Sequence, residues 1–235
     1  MNKEKIQYLD WDSDFFNKKI GRVVVENSDD IAIILQEAKN IGYQLIYVFG
    51  NKDFFVDDKT LQQFNGHLAD RKVVYEKKIE TIQEQVPVVS EYTSAELTPE
   101  LEKLAYASGE YSRFKLDKNF AEDDFYRMYK IWAEKHLSTD KVFVAKENGA
   151  IKGMMVLQID AEKGHLNLLA VSPDARGKGY ARALISVCEN ALLNQGISIV
   201  DLPTQLDNMQ ACKLYEKYGF QIKEITNIYH FWLQN

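Results

Sequence analysis

The chain has 235 residues, 46% hydrophobic and 27% charged, a balance that suits one large or two modest folded domains and excludes a disordered or coiled-coil protein. Its net charge is −6, so it offers no general electrostatic attraction to nucleic acid, and a nucleic-acid partner is not expected. No stretch approaches the ~18 apolar residues a membrane span needs, and no apolar run follows the charged start Met1–Lys5, so no membrane partner and a cytoplasmic location are expected.

In chain order, the valine run in Ile20–Glu26 suits a strand, and Asp29 and Asp30 open a helical pattern through Ile33, Ile34, Ala38 and Ile41. Gly42 is placed to end that helix, and Tyr43–Phe49 reads as a second strand. Val73–Ile79 reads as a third strand near a sheet edge, because lysines interrupt it. The polar segment Gln83–Pro87 marks a boundary, which predicts a small N-terminal α/β domain over 1–82 and a second domain over 83–235.

The second domain opens with a short strand, Val88–Tyr92, followed by helices over Leu97–Ala107 and Ala121–Leu137. The latter helix carries Phe125, Met128, Tyr129 and Trp132 on one stripe, read as core. Asn148-Gly149 between two apolar runs predicts a hairpin of Val142–Ala145 and Ile151–Ile159. A strand over Leu166–Val171, a helix over Arg182–Gln195 ended by Gly196 and a strand over Ile197–Leu202 follow. A helix over Asn208–Tyr218 is stopped by Gly219, and two strands near Gln221–Thr226 and Asn227–Leu233 close the chain. Cys188 and Cys212 lie in helical patterns without metal-ligand spacing; they read as reduced core thiols, and no metal is expected.

The chemically informative stretch runs from Leu168 to Ala181. A strand ends, the chain turns, and a helix starts at about Gly179. The first amides of a helix lack intrahelical acceptors and carry partial positive charge, which makes such a turn an anion site. Gly177 and Gly179 let the backbone approach a ligand closely, and Arg176 and Lys178 add positive charge, a combination suited to a pyrophosphate. Neither a Walker loop nor a Rossmann fingerprint is present, since the latter would need a glycine at Arg182.

Arg176-Gly177-Lys178-Gly179-Tyr180-Ala181 fits the pattern [QR]xxGx[GA] and resembles the signature of GNAT superfamily N-acetyltransferases. Asn208, Ala211, Leu214, Tyr215, Tyr218, Gly219 and Phe220 resemble the helix downstream of it, and the order of elements fits from about Val86 onward. The resemblance implies an α/β GNAT fold with a mixed sheet, preceded by the smaller N-terminal domain. It also implies an acetyl-CoA-dependent N-acetyltransferase. In that reading Leu169, Ala170 and Val171, the loop residues Arg176, Gly177, Lys178, Gly179, Tyr180 and Ala181, and Asn208 bind acetyl-CoA.

The resemblance also assigns Tyr215 as the acid that protonates the departing sulfur, with a packed core tyrosine as the alternative. His165 falls where some relatives place a base, and ordered water is the alternative to it. Asn167 shares the strand face of His165 by period-two alternation and is placed at the substrate. Asn208 can also serve as a helix N-cap.

Ser112-Arg113-Phe114, Phe120 and Phe125-Tyr126 ahead of Trp132 resemble the matching stretch of dTDP-fucosamine acetyltransferases, a nucleotide-amino-sugar group. That resemblance implies a dTDP-4-amino-4,6-dideoxyhexose as acceptor, with Arg113 on its phosphates. Two alternatives stand beside it: an acetyltransferase for a peptide N-terminus, amino acid or polyamine, and a non-catalytic acyl-CoA-binding regulatory module. The expected partners are a small-molecule amine and, in a homodimer, a second copy of the chain.

Overall fold

The computed structural model describes residues 6–26, 30–84 and 88–233. Met1–Lys5, Asp29 at the expected helix start and Gln85–Pro87 of the expected boundary lie outside the described residues. The chain forms two compact units, Met1–Val73 with Glu224–Asn235, and Val74–Lys223. This division differs from one at 82 and 83 in its placement of 74–82 and of 224–235. A pairing between the last strand and one near residue 48 is invisible to a reading of local pattern.

In the first unit β1 (Gln7–Tyr8), α1 (Asp10–Phe16), β2 (Ile20–Val24), α2 (Ile31–Ile41), β3 (Leu45–Asn51) and α3 (Asp58–Gln63) follow one another. Two longer strands, β4 (Gly66–Lys78) and β10 (Gln221–Trp232), have residues in both units. β2 and β3 are parallel, with α2 as their crossover, and β10 runs antiparallel to β3 from Thr226↔Asn51 to Trp232↔Leu45. The Asp30 carboxylate accepts from the amides of Ala32 and Ile33 at 3.1 and 3.3 Å, and Gly42 ends α2 at φ 89°. Ile34, Leu35 and Ala38 of α2 pack with Ile46, Val48 and Phe231 as the core.

The two expected C-terminal strands are one. The polar pair Thr226-Asn227 reads as a break, yet Asn227 is buried and its amide donates to the carbonyls of Lys52 and Phe54 at 3.3 and 3.0 Å, so the strand passes through.

In the second unit come β5 (Val89–Glu91), α4 (Pro99–Ser108), α5 (Arg113–Leu116), α6 (Glu122–Thr139), β6 (Lys141–Glu147) and β7 (Ala150–Ile159). β8 (Gly164–Val171), α7 (Tyr180–Leu193), β9 (Ile199–Gln205) and α8 (Met209–Lys217) complete it. Its strands lie in the order β9-β8-β7-β6-β5, antiparallel except for the parallel pair β8–β9. This is the expected mixed α/β fold. The Asn148-Gly149 hairpin forms with φ of 52° and 83°. Leu101, Leu104 and Ala133 pack on Val144, Met154 and Val156.

β4 is not an edge strand; it lies between two neighbours. Its Lys77 bonds the buried Glu189 at 2.6 Å and stands over the Phe220 ring, so this lysine is a paired interior cation rather than an edge guard.

Two irregularities in β8 shape this unit. The β8–β9 ladder consists of Gly164↔Val200 and His165↔Asp201, after which the two strands part. β8 continues through Val171, about 20 Å at strand rise, with no partner in β9. On its other side the register with β7 shifts between Met154 and Val156, and Leu168 in this bulge takes φ 49°. A bulge takes backbone groups out of the ladder and re-aims the chain.

His165 fastens the point where the strands part. Its Nδ1 lies 2.7 Å from Asp201 and its Nε2 2.9 Å from Asp160. Partial burial lowers its pKa, but the hydrogen bonds to the two carboxylates outweigh burial and raise it overall. The same bond holds Asp160 down to about 2. The folded-state pKa of this histidine lies above the unfolded value of about 6.5, so its contribution is complete below that value and is lost as pH rises through the folded one. The melting-temperature difference between wild type and His165→Asn should therefore be largest in mildly acid buffer and shrink with rising pH. A difference that grows with pH would contradict the ion-pair account.

Candidate functional site

The parted strands open onto a cavity of about 840 Å³, lined by residues of the second unit between Ala107 and Tyr218. One wall is the length of β8 that has parted from β9, Leu166–Val171, and facing it are Leu202, Pro203, Thr204 and Gln205 of β9.

At the C-terminal end of β8 the chain enters a 3-10 turn, Pro173–Ala175, and then the glycine loop. Arg176 braces this turn by donating from Nε to the Val171 carbonyl at 3.3 Å. Gly177 and Gly179 have φ of 79° and 86°, and an added Cβ at either would meet nothing within 4 Å. Both positions therefore need glycine for conformation and face open space. Gly179 is the N-cap of α7, and no side chain among the described residues accepts from that helix start. The amides of Tyr180, Ala181 and Arg182 have no intrahelical acceptor, and the first closed turn is the bond from Ala183 to Gly179 at 3.0 Å. An anion there would be stabilised by about 0.3–1 kcal/mol from the helix dipole, in addition to its hydrogen bonds.

At the opposite wall stand α8 and its cap. Asn208 Oδ1 accepts from the Ala211 amide at 3.2 Å, so Asn208 caps the helix and also lines the cavity. Tyr215 lines the cavity while its ring packs edge-on against Tyr75 and Phe220, with centroids 5.7 and 6.2 Å away. Burial raises its pKa, so the phenol stays protonated. Its hydroxyl has no hydrogen-bond partner among the described residues.

The structure thus brings Leu169, Ala170, Val171, Arg176, Gly177, Gly179, Tyr180, Ala181, Asn208, Tyr215 and Asn167 to one cavity. Lys178, His165 and Arg113 are not in its lining. Lys178 bonds both oxygens of Glu147 at 2.8 and 3.0 Å, tying the loop to the β6–β7 hairpin. His165 has both ring nitrogens on carboxylates, and as the imidazolium it donates from both, which leaves neither nitrogen to take a proton from a substrate. Arg113 opens the four-residue α5 with its guanidinium 4.3 Å from the centre of the Phe114 ring.

Sequence reasoning missed the side chains that α4 and α6 contribute. Tyr129, Trp132 and His136 of α6, and Glu110 and Tyr111 after α4, line the cavity. Phe125, Met128 and Tyr129 are buried as expected of core, but Tyr129 and Trp132 also border the cavity; the available signal was His136, a polar residue continuing the stripe four positions beyond Trp132. Arg182, on the first turn of α7, also lines the cavity.

The model of the acetyltransferase (GNAT) family matches residues 104–220. An acetyltransferase of Yersinia pestis (strain Pestoides F) is 30% identical over 122 residues, 45% of this chain and 86% of its own length. The spore coat polysaccharide biosynthesis protein SpsD of Bacillus subtilis (strain 168) is 30% identical over 132 residues, 55% of this chain and 46% of its own. A functionally unknown conserved protein from Staphylococcus epidermidis ATCC 12228 shares the fold with a TM-score of 0.66 at 9% identity, over 100% of this chain and 93% of that one. Among the described residues no helix is long and apolar enough to cross a membrane. The matched segment contains both the glycine loop and the α8 tyrosine, and the chain belongs to the acetyltransferase (GNAT) family, as an acetyl-transferring enzyme.

Proposed function

We propose that the cavity binds acetyl-CoA along β8 and that the enzyme acetylates a primary amine of a small molecule, in the finer reading the sugar amine of a dTDP-4-amino-4,6-dideoxyhexose. The observation that carries the reading is the run of a bulged strand, open on its β9 edge, into an uncapped helix start on two left-handed glycines. Acetyl-CoA is an extended molecule with a pyrophosphate, and it supplies a thioester that an amine can open. The residues present fit it: the α7 amides and Arg176 would hold the pyrophosphate, aided by Arg182. The free backbone of Leu169–Val171 would hold the arm as a strand partner, and Asn208 has its amide N–H groups left for the same arm.

The chain's own groups then account for the chemistry. The amides of the Leu168–Leu169 bulge would donate to the carbonyl oxygen as it gains negative charge. Tyr215, kept protonated by burial, would give its proton to the leaving sulfur. Holding amine and thioester together in one cavity supplies part of the rate. His165, occupied by two carboxylates, keeps the strands joined at their fork in this reading, and water or another group accepts the amine proton.

Support for a sugar acceptor is the similarity to SpsD, a spore coat polysaccharide biosynthesis protein, together with the Ser112–Trp132 resemblance. Arg113, stacked on Phe114 outside the cavity lining, gives no support to a phosphate contact. Glu110 in the cavity wall favours a second reading, a cationic acceptor such as a polyamine or peptide N-terminus.

Thiol release from acetyl-CoA with dTDP-4-amino-4,6-dideoxyhexoses, spermidine, amino acids and short peptides should be fastest with the nucleotide sugar. Turnover of a peptide or polyamine alone would replace the sugar reading. Tyr215→Phe should lower kcat by about 10²–10⁴-fold with acetyl-CoA affinity unchanged. Wild-type turnover in that folded variant would move the acid role elsewhere.

A further inference from the structure

We infer that His136, oriented by Asp140, is the general base that takes the proton from the acceptor amine. The inference rests on the reading of the cavity as the acetyl-transfer site and adds a group that the sequence signature does not contain.

His136 lines the cavity with a half-buried side chain. Its Nδ1 lies 2.9 Å from Asp140 Oδ2. Asp140 is itself fixed: the Thr139 hydroxyl donates to the same oxygen at 2.6 Å, and the Asp140 amide donates to the His136 carbonyl at 3.0 Å. With Nδ1–H donating to the carboxylate, Nε2 carries the lone pair, and it has no hydrogen-bond partner among the described residues. That is the arrangement of a base held in its proton-accepting tautomer by a carboxylate. His165 is the opposite case, with both nitrogens on carboxylates.

The register places His136 at the amine end. α6 ends one turn after His136 and leads into Lys141, which pairs with Leu157, which pairs with Leu166. His136 therefore lies near the row of the sheet where β8 parts from β9. The pyrophosphate cradle lies beyond Val171 at the other end, about 20 Å along the strand. The Leu168–Leu169 bulge falls between them, so cradle, bulge and histidine follow one another as pyrophosphate, thioester and amine would. Tyr129 and Trp132, on the same face of α6 with ring centroids 5.1 Å apart, give the amine end an aromatic wall.

The step balances without a further reactant. For an acceptor bound as the neutral amine, the N–C bond forms and the C–S bond breaks. The amine proton passes to His136 Nε2, and the sulfur takes a proton from Tyr215. The imidazolium proton returns to the Tyr215 oxygen through solvent. Asp140 acts through the histidine and is a positioning residue.

The test uses the amine that the full-length wild type turns over fastest among a dTDP-4-amino-4,6-dideoxyhexose, spermidine and a short peptide. His136→Ala and His136→Gln should lower kcat by about 10²–10⁴-fold. Calorimetric affinity for acetyl-CoA should match wild type in both. Added imidazole should restore part of the His136→Ala rate and none in Asp140→Asn, whereas Asp140→Glu should recover part of the Asp140→Asn loss. Wild-type kcat in the histidine variants, or a loss that imidazole does not relieve, would overturn the inference and leave the proposed function standing. Failure of the wild type to bind acetyl-CoA or acetylate any of these amines would overturn both.

Discussion

The constraint on which the second unit depends is the parting of two parallel strands after two residue pairs. Gly164↔Val200 and His165↔Asp201 hold β8 and β9 together, and beyond them the two strands no longer pair with each other. A strand edge left open inside a domain exposes donors and acceptors that folding normally satisfies. Such a strand persists when the rest of the structure holds it in place. The ladder with β7 does so on one side, and the His165–Asp201–Asp160 cluster does so at the fork. The bulge at Leu168, held at φ 49°, is a second departure from regular pairing in the same few residues. In αL a non-glycine residue costs roughly 1–3 kcal/mol, a strain that concentrates at functional sites.

The rest of the site follows from that opening. β8 delivers the chain to the Arg176–Gly179 loop, the left-handed glycines turn it, and α7 starts without a side-chain cap in the cavity wall. α8 sets Asn208 and Tyr215 across the gap, and the edge-on packing of Tyr75 and Phe220 fixes the Tyr215 ring. α6 closes the remaining side with Tyr129, Trp132 and His136. In the proposed reading these parts correspond to pyrophosphate, leaving sulfur and acceptor amine, in that spatial order.

The legible part of the molecule was the part governed by local rules. Gly42, Asn148-Gly149, Gly177, Gly179 and Gly219 each stand at a left-handed turn that their sequence context announced. The α7 loop and α8 were legible through a pattern that is itself a backbone requirement, glycine where φ is positive and the chain must stay bare. Long-range relations were not legible. Nothing local shows that β10 passes unbroken through Thr226-Asn227, because the groups that satisfy Asn227 are carbonyls at positions 52 and 54. The short helices α1, α3 and α5 span too few residues for a periodic pattern. His165 looked like a base because its two carboxylates come from Asp201, which only the fold brings close, and from a turn five residues upstream. That Tyr129, buried as core, and Trp132 also border a cavity was not legible, because an aromatic face turned to a cavity has the same period as one turned to a core.

The central claim is that the loop backbone and the α7 amides bind acetyl-CoA, and isothermal titration of Gly179→Val beside Gly42→Val tests it most directly. Both glycines have φ near 90° and open space where a Cβ would go, so both substitutions impose similar backbone strain. Only at Gly179 would the added side chain stand in front of the helix start. The account predicts that Gly42→Val keeps wild-type affinity for acetyl-CoA while folded Gly179→Val binds it at least tenfold more weakly, about 1.4 kcal/mol or more. Equal affinity in the two variants would contradict it.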